Sequence, residues 1–345
     1  MKLRKKRLAV MAAAAVLALC QIPSLHQMAE VRAEIRQEQP AAPVQLHGAL
    51  QVKGANLMDE KGEALRLCGM STHGINWFPE YVNYEAFRTL RDDWKVNCIR
   101  LAMYTDEYNG YCSGGNQEEL KKLVKNGVQY ATDLGMYVII DWHVLHDQDP
   151  NVHKKEAISF FQEMSSLYQD QKNVIYEICN EPNGSATWDG VKRYAEEVIP
   201  VIRANDPDGV IIVGTPVWSQ EIGQALASPL QYDNLLYALH FYAGTHTDWL
   251  REWVETCASQ GLPIFVSEFG TCDASGSGGN QFDESQKWME LLERYHISCC
   301  AWNLANKAET SSVISAGCQK LSGWSEADLS ESGKWLRNYF RQAGK

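Results

Sequence analysis

Two glutamates each close a short apolar run: Glu181 in the segment 174–182 (VIYEICNEP) and Glu268 in the segment 262–268 (LPIFVSE). Such runs read as buried strands, and a carboxylate at the tip of a strand in an α/β barrel sits on the face that carries chemistry. Two carboxyls on one such face suit cleavage of a glycosidic bond. One protonates the leaving oxygen, and the other, about 5 Å away in a retaining mechanism, attacks the anomeric carbon. Their pKa values must then be split. Arg100 and Tyr242 are candidates to hold Glu268 ionised, by charge and by hydrogen bond, while apolar surroundings raise Glu181. Asn180, beside Glu181, is a candidate partner for the substrate 2-hydroxyl, whose hydrogen bond strengthens in the transition state.

The same accumulation of polar residues recurs at the ends of the other apolar runs: His73, Arg100 with Tyr104, His143, His240 with Tyr242, and Trp302. Trp302 is expected as a floor for a sugar ring, because pyranose C–H faces stack on flat side chains while the hydroxyls meet polar groups. Trp77 and Trp218 follow the first and fifth runs in polar loops, where an exposed platform is the better reading than a core position. Lys307 and Glu309 are placed to bind hydroxyls. A bland reading exists for each carboxylate, as a helix cap for Glu181 or an ion pair with Arg100 for Glu268; the second is compatible with catalysis. His73, His143 and His240 could instead hold a metal, but no strand carries the two closely spaced histidines with which such sites begin. Calcium near Asp147, Gln148 and Asp149 has only carboxylates to recommend it. We therefore expect neither metal nor cofactor.

These positions imply a scaffold. Eight strand candidates, 66–71, 96–103, 136–142, 174–180, 210–214, 235–241, 263–268 and 298–303, alternate with helical segments, the pattern of a parallel sheet and here of a single-domain (β/α)8 barrel. Helical spacing is plain in 117–134, through Leu120, Val124, Val128 and Ala131, and in 154–168, through Ala157, Phe160, Phe161, Met164 and Leu167. Before the first strand, 48–65 alternates around Gly54 and Asp59-Glu60-Lys61-Gly62, a hairpin suited to close the barrel bottom.

At 345 residues, 45% hydrophobic and 22% charged, the chain has an ordinary globular composition. A basic start (MKLRKKR) followed by an apolar stretch from Leu8 to Cys20 reads as a signal peptide, with cleavage near Ala33 and a disordered leader over 34–46 before the catalytic domain at 47–345. Leu19 argues against a lipid anchor at Cys20, so a secreted, monomeric protein is expected. Loss of residues 1–33 removes six basic and one acidic residue and takes the formal charge from −11 to −16. That charge disfavours nucleic acid and anionic polymers and suits a neutral or cationic substrate. Nine cysteines remain, an odd number without close C-x-x-C pairs. Most are expected to be free thiols buried as small hydrophobes.

The segments 175–184 (IYEICNEPNG) and 264–270 (IFVSEFG) resemble the acid/base and nucleophile motifs of family 5 glycoside hydrolases, the cellulase family. The likeness covers roughly residues 47–341. It is nearest to bacterial endo-β-1,4-glucanases, through 69–77 (GMSTHGINW), 141–151 (DWHVLHDQDPN) and 301–309 (AWNLANKAE). The resemblance implies Glu181 as acid/base and Glu268 as nucleophile, with Arg100, His143, Asn180, His240, Tyr242 and Trp302 completing the catalytic set. Its cellulase branch implies that His73, Trp77, Tyr104, Trp218, Lys307 and Glu309 contact glucosyl units. The implied substrate is a β-1,4-glucan; β-mannan, mixed-linkage glucan and xyloglucan remain alternatives on the same set, and a non-catalytic carbohydrate-binding barrel is a different class. Cys179 and Cys272 depart from the usual small residue and serine at those places.

Overall fold

The computed structural model describes residues 41–343. The signal segment, Cys20 and residues 34–40 of the expected leader lie outside the described residues. The compact unit begins at Ala42, and Pro43–His47 is a short helix with proline in its first turn, so the folded part starts earlier than residue 47.

An antiparallel hairpin, β1 (Gln51–Lys53) and β2 (Asn56–Met58), turns at Gly54, as the alternation implied. Eight parallel strands follow: β3 (Cys68–Thr72), β4 (Cys98–Tyr104), β5 (Tyr137–His143), β6 (Val174–Glu177), β7 (Val210–Val213), β8 (Leu235–Tyr242), β9 (Ile264–Gly270) and β10 (Ser298–Leu304). They close in chain order, with β10 pairing β3. A helix follows each strand, and every barrel strand is buried along its whole length because the helices cover its outer face.

The helices form where the pattern puts them. Gln117–Asp133 starts at Asn116, whose Oδ1 accepts from the amides of Glu118 and Glu119, and it buries Leu120, Val124, Val128 and Ala131. Lys154–Tyr168 buries Ala157, Phe160, Phe161 and Met164, but Leu167 is exposed. At the next helical step Tyr168 takes the inward place and packs on the core.

The barrel has two interiors. At the bottom, Leu50, Leu57, Leu65 and Leu67 pack on Tyr137, Ile139, Ile212 and Phe265 inside the strands. The hairpin therefore acts as the plug its sequence suggested, tied down by Tyr137 Oη to the carbonyl of Gly48 and by the amide of Val52 to Asn234 Oδ1. At the top the interior turns polar. No helix among the described residues is long and apolar enough to cross a membrane.

One strand is shorter than its apolar run. Regular pairing of β6 ends at Glu177, three residues before the expected end at 180. Ile178 still donates to Ile212 of β7, but Asn180 and Glu181 donate to the carbonyls of Trp142, near the end of β5, and of Val144 just after it. The backbone thus crosses toward β5. Gly214 permits this, since a Cβ there would stand 2.3 Å from the carbonyl oxygen of Cys179.

Candidate active site

The polar top of the barrel opens into a cleft of about 590 Å³, ample for several sugar rings. Of the catalytic and substrate-binding candidates, all line it except Arg100 and Asn180, fully buried directly beneath the two glutamates, and Trp77, half-buried and stacked on Tyr104 at its edge. Leu145, Val217, Gln220, His246 and the loop 274–276 line it as well.

Glu181 and Glu268 are both buried, and an oxygen of one lies within 4.8 Å of an oxygen of the other. Their surroundings differ. Glu268 accepts from Tyr242 Oη at 2.7 Å and from Arg100 Nη1 at 3.2 Å. Glu181 has neither; its Oε1 meets His240 Nδ1 at 2.8 Å. Burial pushes the Glu181 carboxyl up to about 8, with the charges of Asp141 and Glu177 adding to it against the pull of Arg100. Burial also raises Glu268, followed by repulsion from Glu181, while His240, Arg100 and His143 draw it down. The phenol and guanidinium contacts fall on Glu268 alone, so the pair carries its single negative charge there.

Arg100 is the hub beneath this pair and is fully buried. Burial alone would lower its pKa, but Asp141, Glu177 and Glu268 outweigh burial and hold it charged. Nε donates to Glu177 at 2.7 Å, Nη2 to Asn180 Oδ1 at 2.6 Å and lies 3.0 Å from Asp141 Oδ2, and Nη1 reaches Glu268. Asn180 is thereby fixed: its carbonyl is taken by Arg100, and Nδ2 donates to the carbonyl of Val144, leaving one amide hydrogen.

Three of these supporting groups were missed in the sequence reading. Glu177 is the informative one, a charge in the middle of the apolar run 174–179 and the last residue of β6, where only a buried partner makes it tolerable. Asp141 precedes His143 by two residues and so points to the same side, 2.5 Å from His143 Nδ1. Burial raises Asp141 to about 7 against the pull of Arg100. Ser267 meets His240 Nε2 at 2.9 Å and carried no signal beyond its place before Glu268.

The histidines go to separate partners. Burial drives His240 down to about 4 and His73 to about 3, and takes His143 well below its ordinary value, so all three rings are neutral at pH 7. Glu181, His240 and Glu268 are the one group among the described residues whose ligand atoms come close enough to share an ion. Their donor atoms already engage one another, Ser267, Tyr242 and a fixed guanidinium, a set built for proton chemistry.

Aromatic rings shape the rest. Trp302 stacks on His143 (5.3 Å, 17°), and Trp77 stacks on Tyr104 (4.7 Å) with Nε1 donating to the carbonyl of Tyr108. Cys272 packs in this same cluster beside Tyr242, Trp302 and Tyr104, a buried filler rather than a reactive thiol. Cys179 is likewise buried, and none of the nine described cysteines is paired. Lys307 Nζ lies 2.6 Å from Glu309, which also accepts from Asn303 and Ser311. Burial alone would raise Glu309, but Lys307 and Asn303 hold it low, so Glu309 stays ionised at the cleft edge.

Trp218 stands apart, 46% exposed, on a turn in which Val217, Trp218 and Ser219 all take left-handed φ (58°, 53° and 56°). Such a conformation costs a non-glycine residue about 1–2 kcal/mol. Ser219 Oγ, donating to the carbonyl of Asn180, and the amide of Trp218, donating to the carbonyl of Pro182, hold it in place. Trp218 therefore sits on the Glu181 side of the cleft.

Residues 58–308 match the family described as Cellulase (glycosyl hydrolase family 5). The chain is 51% identical over 299 residues to endoglucanase A of Butyrivibrio fibrisolvens, covering 86% of this chain and 69% of that protein. It is 49% identical to an endoglucanase of Clostridium saccharobutylicum, covering 86% and 66%. The chain thus spans about two thirds of the length of these relatives. Among solved structures, the catalytic domain of Thermobifida fusca endoglucanase E5 in complex with cellotetraose superposes with a TM-score of 0.84 at 38% identity, covering 87% of this chain and all of that one. The alkaline cellulase K catalytic domain gives 0.80 at 34% identity, covering 88% and 96%. The chain belongs to glycosyl hydrolase family 5, the cellulase family.

Proposed function

We propose that this protein is an endo-β-1,4-glucanase that hydrolyses internal glucosidic bonds with retention, using Glu181 as acid/base and Glu268 as nucleophile. One observation carries the reading: the two carboxyls approach within 4.8 Å while only Glu268 is held by Tyr242 and Arg100. An inverting pair needs roughly 6.5–9.5 Å to admit a water between sugar and base.

In this mechanism a glucan chain lies along the cleft with its scissile oxygen over Glu181. His240, neutral with its proton on Nδ1, donates to Glu181 Oε1 and accepts the Ser267 hydroxyl on Nε2. That tautomer leaves the acid's own proton on Oε2, free for the leaving oxygen. Glu268 attacks the anomeric carbon, the glycosidic C–O bond breaks, and the leaving sugar departs as an alcohol with the proton from Glu181. Tyr242 and Arg100 fix the angle of attack. The now ionised Glu181 takes a proton from water, which attacks the same carbon and releases Glu268. Asn180 offers its remaining amide hydrogen to the 2-hydroxyl.

Trp302, Trp77 and Tyr104 bind the non-reducing side, with His73, Lys307 and Glu309 at the hydroxyls, and Trp218 binds the leaving-group side. The acidic balance of the chain supports a neutral polymer. The steps use only protons and carboxyls of the chain and call for no metal or cofactor. We further infer that residues 1–33 direct export and that the catalytic domain, from Ala42 onward, acts as a secreted monomer.

Viscosity and reducing ends followed together on soluble hydroxyethyl cellulose test this reading. An endo-acting β-1,4-glucanase lowers viscosity long before reducing ends accumulate. Turnover of β-mannan but not of the cellulose derivative would overturn the substrate assignment.

A further inference from the structure

The cleft wall on the Glu181 side is made by two segments, Val217 to Gln220 and the loop that ends at His246. Both run outward into helices, Ile222–Ala227 and Asp248–Ser259, and at that junction two tryptophans face solvent: Trp249 at 55% exposure and Trp253 at 43%. They are four residues apart on one helix, so they share a face and are separated by about 6 Å along the axis, the scale of one sugar ring. The opposite face of this helix is spent on packing, with Leu250, Val254 and Cys257 buried.

Both indoles are set in place. The ring of Trp253 lies over Gly223, where a Cβ would come within 2.1 Å of the indole, and the residue stays exposed beyond that contact. Trp249 meets the edge of His246 at 5.9 Å, one ring beyond the cleft lining. Exposed indoles beside the carboxylates of Glu252 and of Asp248, the latter paired with Arg251, suit a neutral ligand with hydroxyls better than an acidic lipid surface or an anionic polymer.

We propose that Trp249 and Trp253 form a second carbohydrate site, a platform for the β-1,4-glucan chain that leaves the cleft past Trp218. The proposal rests on the glucanase reading of the cleft. It extends the leaving-group side onto the outer wall of the barrel, where it grips long chains and is out of reach of short ones.

The test compares kcat/KM on hydroxyethyl cellulose with kcat/KM on 4-nitrophenyl cellobioside, whose aglycone ends at the first leaving-group position. In the Trp249→Ala/Trp253→Ala variant the polymer value should fall roughly tenfold through KM, while the cellobioside value changes less than about twofold. Trp249→Tyr/Trp253→Tyr, which keeps flat rings, should retain most of the polymer value. The proposal is overturned if the alanine variant treats the polymer as the wild type does, if both substrates fall together, or if the tyrosine variant loses as much as the alanine one. The single alanine variants give the same reading should the double variant not fold. A wild-type protein that turns over neither substrate would overturn the cleft assignment itself, a distinct outcome.

Discussion

Replacing Glu181 by Gln should make the protein more stable, and increasingly so as the pH rises. The ordinary pKa of this carboxyl is 4.5, and burial takes it to about 8 in the folded state. Between those values the unfolded chain has released the proton that the folded chain still holds, so stability falls as pH rises. The contribution is nil below pH 4.5 and complete above 8. With each pKa unit equivalent to roughly 1.4 kcal/mol, the wild type loses about 3 to 4 kcal/mol from this group between pH 5 and pH 8. The neutral amide in the variant has no such proton to release and suffers no such loss. It also relieves Glu268 of a like charge at high pH, a change of the same sign. Urea unfolding of both proteins at pH 5, 6, 7 and 8 checks this: the difference between their unfolding free energies should widen by about 3 to 4 kcal/mol in favour of the variant. A constant difference, or one that narrows with pH, would show that Glu181 does not hold a proton in the folded cleft and would remove the physical basis for its role as the acid.

Glu181→Ala should lose most activity on polymer yet keep far more on an aryl cellobioside whose leaving group needs no protonation; equal losses on both would count against the acid assignment. Tyr242→Phe removes the 2.7 Å phenol contact that stabilises ionised Glu268. A drop in kcat of roughly 10- to 100-fold should follow, with the acidic limb of the kcat/KM profile moving to higher pH; an unmoved limb would mean that the phenol does not tune the nucleophile. Denatured, unreduced protein should titrate as nine free thiols among residues 68–318, since all nine described cysteines are unpaired. Titration of a single thiol would contradict this.

Much of the barrel is legible because its period is simple. Strands buried on both faces must be apolar runs, and the helices between them must show one buried face, so eight strands and the helices at 117–134 and 154–168 could be placed without further information. What was illegible depends on backbone paths that side-chain type does not record. Ile178 and Cys179 continue the apolar run of β6, yet the chain there leaves β7, because Asn180 and Glu181 gain hydrogen bonds at the end of β5 instead. Val217 to Ser219 contain no glycine to announce a left-handed turn, and that turn presents Trp218 to the cleft. The start of the folded unit was set too late because Pro43–His47 looks compositionally like the leader before it.

The site was legible for a different reason. A polar side chain at the end of an apolar strand has no packing role, so Glu181, Glu268, His143, His240 and Tyr242 stood out, and the structure brings them to one cleft. The residues behind them were harder to find. Glu177 and Asp141 lie within β6 and β5, where a carboxylate is tolerable only because Arg100 arrives from β4, and that pairing exists only once the barrel is closed.

The central claim is that Glu268 attacks carbon and Glu181 supplies the proton, with the two carboxyls too close to admit a water between sugar and base. Proton NMR of the anomeric signals during the first turnovers on cellotetraose tests it most directly. The account predicts that the new reducing end is released as the β-anomer and converts to α only by mutarotation; immediate release of the α-anomer would contradict it.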